Sequence, residues 1–207
     1  PNTEIYNLRF DSDNIIRIIE DYNKLPEVEY AEPNFLFKSF IVPSDENYSL
    51  KYELKNINAE EAWNLTIGNK EIKIAIIDTG VDWDHPDLAF NIWNNSDELC
   101  NSEIDLDNNS YKGDCRGYDF TDINVSNYIN QGYILDENED YNITDNNPMD
   151  FHGHGSHVAG IAGAVGNNNG LLGICWNCSI MPIRAGFGIK SSNVLIGSLE
   201  TDDVVSA

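Results

Sequence analysis

Hydrophobic and polar positions alternate with different periods along the chain. The first part of the chain shows both the helical period and the strand period. Apolar residues recur at helical spacing over 15–22, which predicts a short amphipathic helix. Ser12 or Asp13 is expected to cap this helix, because a short polar side chain can accept a hydrogen bond from its first turn. Positions alternate over 4–9 and over 28–31, as they do in half-buried strands. These elements predict a small α+β unit.

The pattern changes in the rest of the chain. A β-branched run over 72–77 is typical of a strand that is buried on both faces of a parallel sheet. Small residues over 154–165 predict a closely packed helix, 179–184 is expected to be a second strand, and Thr201 is expected to cap a last helix. Residues 91–150 are weakly periodic and predict loops with short strands. Strands that alternate with helices indicate an α/β architecture.

The balance of charges excludes two classes of partner. The 207 residues include 12 Lys and Arg against 35 Asp and Glu, which gives a formal net charge of −23. A field of this sign repels nucleic acid and anionic membrane surfaces, so we expect neither as a partner. No apolar run approaches the roughly 18 residues of a membrane span. We therefore expect an acidic, monomeric protein.

The cysteines predict two disulfides. Cys100, Cys115, Cys175 and Cys178 are even in number and lie in loop-like sequence, and they allow three connectivities. Cys100–Cys115 and Cys175–Cys178 are favoured, because each pair is close in the sequence. A zinc site finds no support in the spacing, and a redox Cys-x-x-Cys usually opens a helix rather than preceding a strand. An oxidising, extracytoplasmic location is expected.

Two segments carry candidate chemistry. Asp78 ends the predicted buried strand, and Gly80 permits a tight turn after it. Catalytic groups of parallel sheets gather at such carboxyl ends. An ionised carboxylate there must be paired, and a histidine proton is a natural partner. His154 begins the small-residue helix, with glycines on both sides that let a substrate come close.

These segments resemble the motifs of the subtilases, the subtilisin-like serine proteases, and occur in the same order. Asp78 matches the aspartate of the Asp-Thr-Gly motif, and His154 matches the first histidine of the His-Gly-Thr-His motif, which here is His-Gly-Ser-His. The resemblance implies proteolysis of polypeptides by acyl transfer, with Asp78 orienting the general base His154. His157 would be structural. It also implies a three-layer α/β/α fold with a parallel sheet, here incomplete, and no cofactor for the chemistry.

Other segments extend the resemblance. Residues 173–184 resemble a Gly-Val-Ala-Pro strand of the family, and 28–34 resemble the end of an inhibitor pro-region. Residues 1–40 are therefore expected to be the C-terminal part of a pro-region that acts as an intramolecular inhibitor. Residues 41–207 are expected to be the N-terminal part of the catalytic domain, with processing somewhere over 37–45.

The nucleophile of the family is missing from the sequence. It lies in a Gly-Thr-Ser-Met-Ala segment, which the 207 residues do not contain, and Ser156 and Ser206 lack that context. A base without its nucleophile forms no acyl-enzyme, so we expect this chain to be an inactive, truncated piece of a secreted zymogen. The competing hypothesis is a naturally short, non-catalytic relative that acts as a binding or regulatory module.

Two metal hypotheses remain open at this stage. Oxygen-bearing side chains at alternate positions over 105–114 suggest a structural calcium loop, which is common in the family, with a solvated acidic loop as the alternative. His152, His154 and His157 suggest the zinc site of a metal-dependent hydrolase. The zinc hypothesis leaves the Asp-Thr-Gly segment unexplained.

Overall fold

The computed structural model describes residues 6–10, 14–33, 43, 45, 47–100, 102–166 and 170–207. It divides the chain into two units, Pro1–Ser39 and Phe40–Ala207. The predicted processing region, 37–45, lies mostly outside the described residues.

The first unit contains one helix, α1 (Ile15–Tyr22), among its described residues, and this confirms the helix that the periodicity predicts. Its N-cap is Asn14, whose side chain accepts a hydrogen bond from the backbone N–H of Arg17 at 3.2 Å. The prediction of Ser12 or Asp13 as the cap is wrong, because Asn14 is the polar residue directly before the first helical residue. Ser12 and Asp13 themselves lie outside the described residues.

Neither predicted strand of this unit is present in its described parts, 6–9 and 28–31. The backbone of Ala31 is bonded to a side chain instead. The amide of Asn23 accepts from the N–H of Ala31 and donates to its carbonyl at 3.0 Å. A side-chain amide therefore takes the place of a neighbouring strand, a competition that the alternating pattern does not reveal.

The second unit contains both helices and strands. Its helices are α2 (Tyr52–Asn56), α3 (Ala59–Trp63), α4 (Val125–Asn130), α5 (His154–Gly163) and α6 (Thr201–Ser206). Its strands are β1 (Lys73–Asp78), β2 (Tyr118–Asp119), β3 (Ile134–Leu135), β4 (Ser179–Arg184), β5 (Gly186–Ser191) and β6 (Val194–Leu199). The long segment before α5 is mostly loop, as predicted.

A parallel sheet with the order β1-β4-β2 forms the frame of this unit. Its register places Asp78 beside Arg184 at the carboxyl end of the strands. Helix α5 packs on one face, and the apolar core between them is formed by Ile76, Val81, Leu88, Ala159, Ala164 and Ile180. The sheet and this helix confirm the expected α/β fold class and bring the two candidate motifs together.

The prediction that β1 is buried on both faces is wrong for the described chain. Ile76 faces α5 and is buried, but Ala75 and Ile77 on the opposite face are exposed, Ile77 by 43%. Burial on both faces needs a helical layer on each side of the sheet. In the part of the chain that the structure describes, α5 covers one side only.

A second, antiparallel sheet with the order β3-β5-β6 follows the first. Ser192 and Asn193 form the turn between β5 and β6, with φ angles of 50° and 65°. Two successive residues with positive φ are what a tight hairpin turn requires. Phe187 on β5 is fully buried and packs with Ile123 and Tyr141, so this sheet has its own small core.

Both favoured disulfides are confirmed. Cys100 is bonded to Cys115, and Cys175 is bonded to Cys178, directly before β4. None of the helices among the described residues has the length and apolar composition of a membrane span.

Candidate active site

Asp78 is the last residue of β1 and is 9% exposed. Its backbone carbonyl accepts a hydrogen bond from the N–H of Ala185 at 2.9 Å, just after β4. Its carboxylate oxygen Oδ1 accepts from the N–H of Thr79 at 2.7 Å. The sheet and the turn after it therefore hold this carboxylate in place at the carboxyl end of the strands.

His154 is the first residue of α5, and its imidazole meets the carboxylate of Asp78. Its Nδ1 lies 2.7 Å from Oδ1 and 2.9 Å from Oδ2 of Asp78. The side chain of Asp78 is 13% exposed, whereas that of His154 is 59% exposed. One side of the imidazole is thus fixed by a buried carboxylate, while most of the ring remains open to solvent.

This geometry assigns the tautomer of His154. A carboxylate only accepts hydrogen bonds, so Nδ1 must carry the proton that lies between the two groups. In the neutral ring, Nε2 is then left with a free lone pair. A histidine in this state can remove a proton from an incoming hydroxyl, and the adjacent carboxylate stabilises the positive charge that results.

Two glycines let the turn after β1 and the start of α5 approach closely. A Cβ atom at Gly155 would overlap the carbonyl oxygen of Gly80. Gly80 has a φ of 103°, and a Cβ there would overlap the backbone of Met149. Side chains at these positions would push the two segments apart, and the contact between Asp78 and His154 depends on their separation.

The start of α5 is capped by residues from other segments. The N–H of Gly155 donates to the hydroxyl of Thr79 at 3.1 Å, and the N–H of Ser156 donates to Asp150 Oδ2 at 2.9 Å. These bonds satisfy backbone donors that a helix start leaves free. Asp150 was missed in the sequence, although an aspartate shortly before a helix is a signal for capping.

The hydroxyls of Ser156 and Ser206 are both hydrogen-bonded to residues other than His154. The hydroxyl of Ser156 donates to Asp150 at 2.6 Å and accepts from the N–H of Asp82 at 2.8 Å. The hydroxyl of Ser206 donates to the carbonyl of Asp202 at 2.8 Å. Both hydroxyls have structural roles, in line with the view that neither is the nucleophile.

A cavity of about 120 Å³ lies beside the imidazole. It is lined by Thr79, His152, His154, Gly197 and Leu199, so the second sheet contributes one wall. The ring of His152 packs against Gly197, where an added Cβ would lie 3.2 Å from it. The cavity gives a reacting group access to His154 next to the sheet.

The zinc hypothesis gains no support from this geometry. The imidazole of His154 is bound to Asp78 through Nδ1, and its ring centre lies 6.4 Å from that of His152. Among the described residues, one group of three has its ligand atoms within 4.8 Å of one another, and it comprises Glu98, Asp105 and Asp107. The three histidines therefore do not converge on one point.

A second charged group lies at the same end of the sheet. Arg184, directly beside Asp78, is fully buried and forms ion pairs with Asp119 and with Glu139, the latter at 3.0 Å. Burial raises the pKa of Asp119 to about 6, although the Arg184 guanidinium acts in the opposite direction. Sequence analysis missed this group, because Arg184 lies in a strand where an apolar residue would be expected.

The acidic loop is closed by the Cys100–Cys115 disulfide at its base. Glu98 Oε1 accepts from the N–H groups of Leu106 and Asp107, the latter at 3.0 Å, so its carboxylate organises the loop backbone. Burial raises the pKa of Asp114, and the negative charges of Asp107 and Glu98 add to this effect. A cation would relieve this concentration of negative charge.

Comparisons with known proteins agree with the geometry. The sequence model of the Subtilase family matches residues 69–202. The chain is 34% identical over 174 residues to a thermophilic serine proteinase of Bacillus sp. (strain AK1), which covers 83% of this chain and 33% of that protein. It is 32% identical over 190 residues to halolysin of Haloferax mediterranei, covering 91% of this chain and 28% of that protein.

A third relative carries a location in its name. The halolysin-like extracellular serine protease Nep of Natrialba magadii is 31% identical over 160 residues, which cover 77% of this chain and 23% of that protein. The chain spans roughly a third or less of the length of these three relatives.

Proposed function

Because the chain belongs to the subtilase family, we propose that it supplies the orienting acid, Asp78, and the general base, His154, of a serine endopeptidase. The observation that supports this most is the contact of Nδ1 of His154 with both oxygens of the Asp78 carboxylate, at 2.7 and 2.9 Å. An ordinary surface ion pair would not combine a buried carboxylate, an open imidazole and a cavity beside it.

The proposed chemistry follows from the tautomer of His154. Its Nε2 accepts the proton of a serine hydroxyl as the oxygen attacks the peptide carbonyl, and Asp78 stabilises the imidazolium. The imidazolium then returns the proton to the amine that leaves, and a water molecule releases the acyl group in the same way. The serine would come from a Gly-Thr-Ser-x-Ala segment that these 207 residues do not contain.

The test uses the protein expressed from its complete coding sequence. We expect it to react with a fluorophosphonate, which labels activated serines, and to hydrolyse an unfolded polypeptide. His154→Ala should abolish both, whereas His85→Ala, a histidine in an exposed turn, should abolish neither. A complete protein that is folded but inert to the probe would contradict the proposal and favour a non-catalytic binding or regulatory module.

We further propose that residues 1–40 are the end of an inhibitory pro-region and that 41–207 begin the catalytic domain. The pro-region motif over 28–34 and the family match, which begins at residue 69, support this division. Mass spectrometry of the mature protein should place its N-terminus within 37–45. A mature N-terminus ahead of α1 would contradict it.

We propose that the acidic loop binds a structural calcium ion through Glu98, Asp105 and Asp107. Carboxylate oxygens are ligands that calcium prefers, and these three lie within 4.8 Å of one another. A bound ion at one hundred times its dissociation constant stabilises the folded state by about 2.7 kcal/mol. Calcium should therefore raise the melting temperature, and the double variant Asp105→Asn, Asp107→Asn should lose this response.

The matched control for the loop is Asp136→Asn, which removes an acidic group from another exposed turn. It should respond to calcium like the parent chain. An equal calcium response in the loop variant would show that the ion binds elsewhere and would contradict the proposed site.

An extracytoplasmic location is also proposed. It is supported by the two disulfides and by the relative named as extracellular. Cell fractionation that finds the mature protein with reduced thiols in the cytosol would contradict it.

A further inference from the structure

Asp150 lies four residues before His154, and its carboxylate joins the segments that carry Asp78 and His154. We propose that Asp150 is a positioning residue, which fixes the separation and angle of the Asp78–His154 pair without touching the reacting atoms. This inference rests on the proposed function of that pair.

The two oxygens of Asp150 accept from the two segments. Oδ1 accepts from the hydroxyl of Thr79 at 2.9 Å, and Thr79 directly follows Asp78. Oδ2 accepts from the hydroxyl of Ser156 at 2.6 Å and from its N–H at 2.9 Å, in the first turn of α5. Oδ1 also accepts from the N–H of Gly153 at 2.8 Å. One carboxylate therefore holds both the turn after β1 and the start of the helix.

The two hydroxyls cross-link the segments in opposite directions. Thr79, which follows the strand, accepts from the N–H of Gly155 on the helix at 3.1 Å. Ser156, on the helix, accepts from the N–H of Asp82 in the turn at 2.8 Å. Each hydroxyl has one proton, and that proton points to Asp150. Without a carboxylate at the centre, the hydroxyls would lose the acceptor that sets their orientation.

This arrangement explains a detail of the sequence. The motif His-Gly-Ser-His carries serine where the related motif carries threonine. Both side chains supply one donor and one acceptor, so either can bridge Asp150 and the N–H of Asp82. The arrangement also explains why an amide would not replace Asp150. An asparagine would turn one NH₂ group toward donors of the chain, since only one of its two ends accepts.

The test is nitrogen-15 NMR of the histidine side chains in the protein expressed from its complete coding sequence. In the parent chain we expect His154 to carry its proton on Nδ1. This proton should give a low-field resonance and should exchange slowly with water. Asp150→Asn and Thr79→Val should lose this resonance, since each removes acceptor or donor groups from the cross-link. Thr79→Ser and Ser156→Thr keep the hydroxyls and should retain it.

Asp136→Asn is the charge control, because it removes the same charge and because Asp136, like Asp150, accepts a backbone hydrogen bond, here from the N–H of Asn138. It should retain the resonance. If Asp150→Asn and Thr79→Val unfold more readily but keep the resonance, Asp150 is merely structural and the inference is overturned. If the parent chain carries its proton on Nε2 of His154, the proposed function fails instead, whatever the variants show. If Asp150→Asn does not fold, the comparison of the resonance in Thr79→Val with that in Thr79→Ser decides the test alone.

Discussion

Two groups, each built around a buried carboxylate, lie side by side at the carboxyl end of the parallel sheet, and they differ in exposure. Asp78 pairs with His154, whose side chain is 59% exposed, whereas Arg184 pairs with Asp119 and Glu139, which are 1–2% exposed. The open pair is accessible to solvent and, under the proposed function, to a substrate. The sealed group is closed to a substrate, and its charges serve to hold β4 against β2 and against the segment that carries Glu139. Under the proposed function, neighbouring positions of one sheet edge thus serve chemistry and structure separately.

The largest effect on stability is expected at the sealed group. Arg184→Met keeps the volume but leaves two buried carboxylates without their cation, which should lower the free energy of unfolding by about 3–5 kcal/mol. Urea denaturation measures this. Lys190→Met breaks an exposed ion pair with Asp136, of 3.5 Å, and should cost under about 1 kcal/mol. Equal losses of unfolding free energy in the two variants would show that the buried group stabilises the chain no more than the exposed ion pair does.

Part of the pH dependence of stability should come from the sealed group as well. Burial also raises the pKa of Asp203 to about 6, so Asp203 should add a part of its own. The pKa of Asp119 is raised to about 6, so the folded chain holds this proton more tightly than the unfolded chain, where the pKa is near 4. The contribution of Asp119 to the free energy of unfolding is present in full below pH 4 and is lost as the pH rises through 6. The loss is about 3 kcal/mol, because each pKa unit corresponds to about 1.4 kcal/mol.

Asp119→Asn should remove this part of the decline between pH 4 and 6, measured by urea denaturation at a series of pH values. Asp136→Asn is the control, because hydrogen bonds from Asn138 lower the pKa of Asp136 and give it the opposite sign. It should leave the decline in place. A decline in Asp119→Asn that is as steep as in the parent chain would mean that Asp119 does not contribute to it.

The scaffold of the open pair can be tested at two glycines of the same helix. Gly155→Ala places a methyl group against the carbonyl of Gly80 and should destabilise the chain by about 1–3 kcal/mol. A Cβ at Gly160 meets nothing within 4 Å, so Gly160→Ala should stabilise it by up to about 1 kcal/mol through helix propensity. Thermal unfolding separates the two. Similar shifts of the same sign would contradict the close approach.

The smallest effect on stability is expected at the open pair itself. Asp78→Asn should change the free energy of unfolding by about 1 kcal/mol or less, because the histidine partner is largely exposed. A loss as large as that of Arg184→Met would remove the distinction between the two groups.

Local patterns predicted α5 and β4 well, and they placed Asp78 and His154 correctly at the ends of their elements. The hairpin of β5 and β6 was not predicted, because its turn is Ser192-Asn193 rather than one of the glycine turns that usually mark such a connection. The predicted strands of the first unit failed for a different reason. A strand needs a partner, and a period of two does not say whether one is available.

The supporting parts of the site could not be predicted in the same way. Asp150 and Thr79 are 71 residues apart in the sequence, and their bond exists because β1 and α5 are packed together. Arg184 lies in a strand, and its need for two carboxylates becomes visible only when β2, which ends at Asp119, and the segment that carries Glu139 are placed around it. Motifs point to the proposed reacting groups, but the groups that hold them in place arise from the tertiary structure.

The central claim, that Asp78 orients His154 as a general base, is tested most directly by peptide hydrolysis with Asp78→Asn in the complete protein. Loss of the orienting carboxylate from such a triad lowers kcat by about 10⁴-fold near neutral pH, and we expect a loss of that size here. Stability should change little, as argued above. Hydrolysis within tenfold of the parent rate would contradict the account.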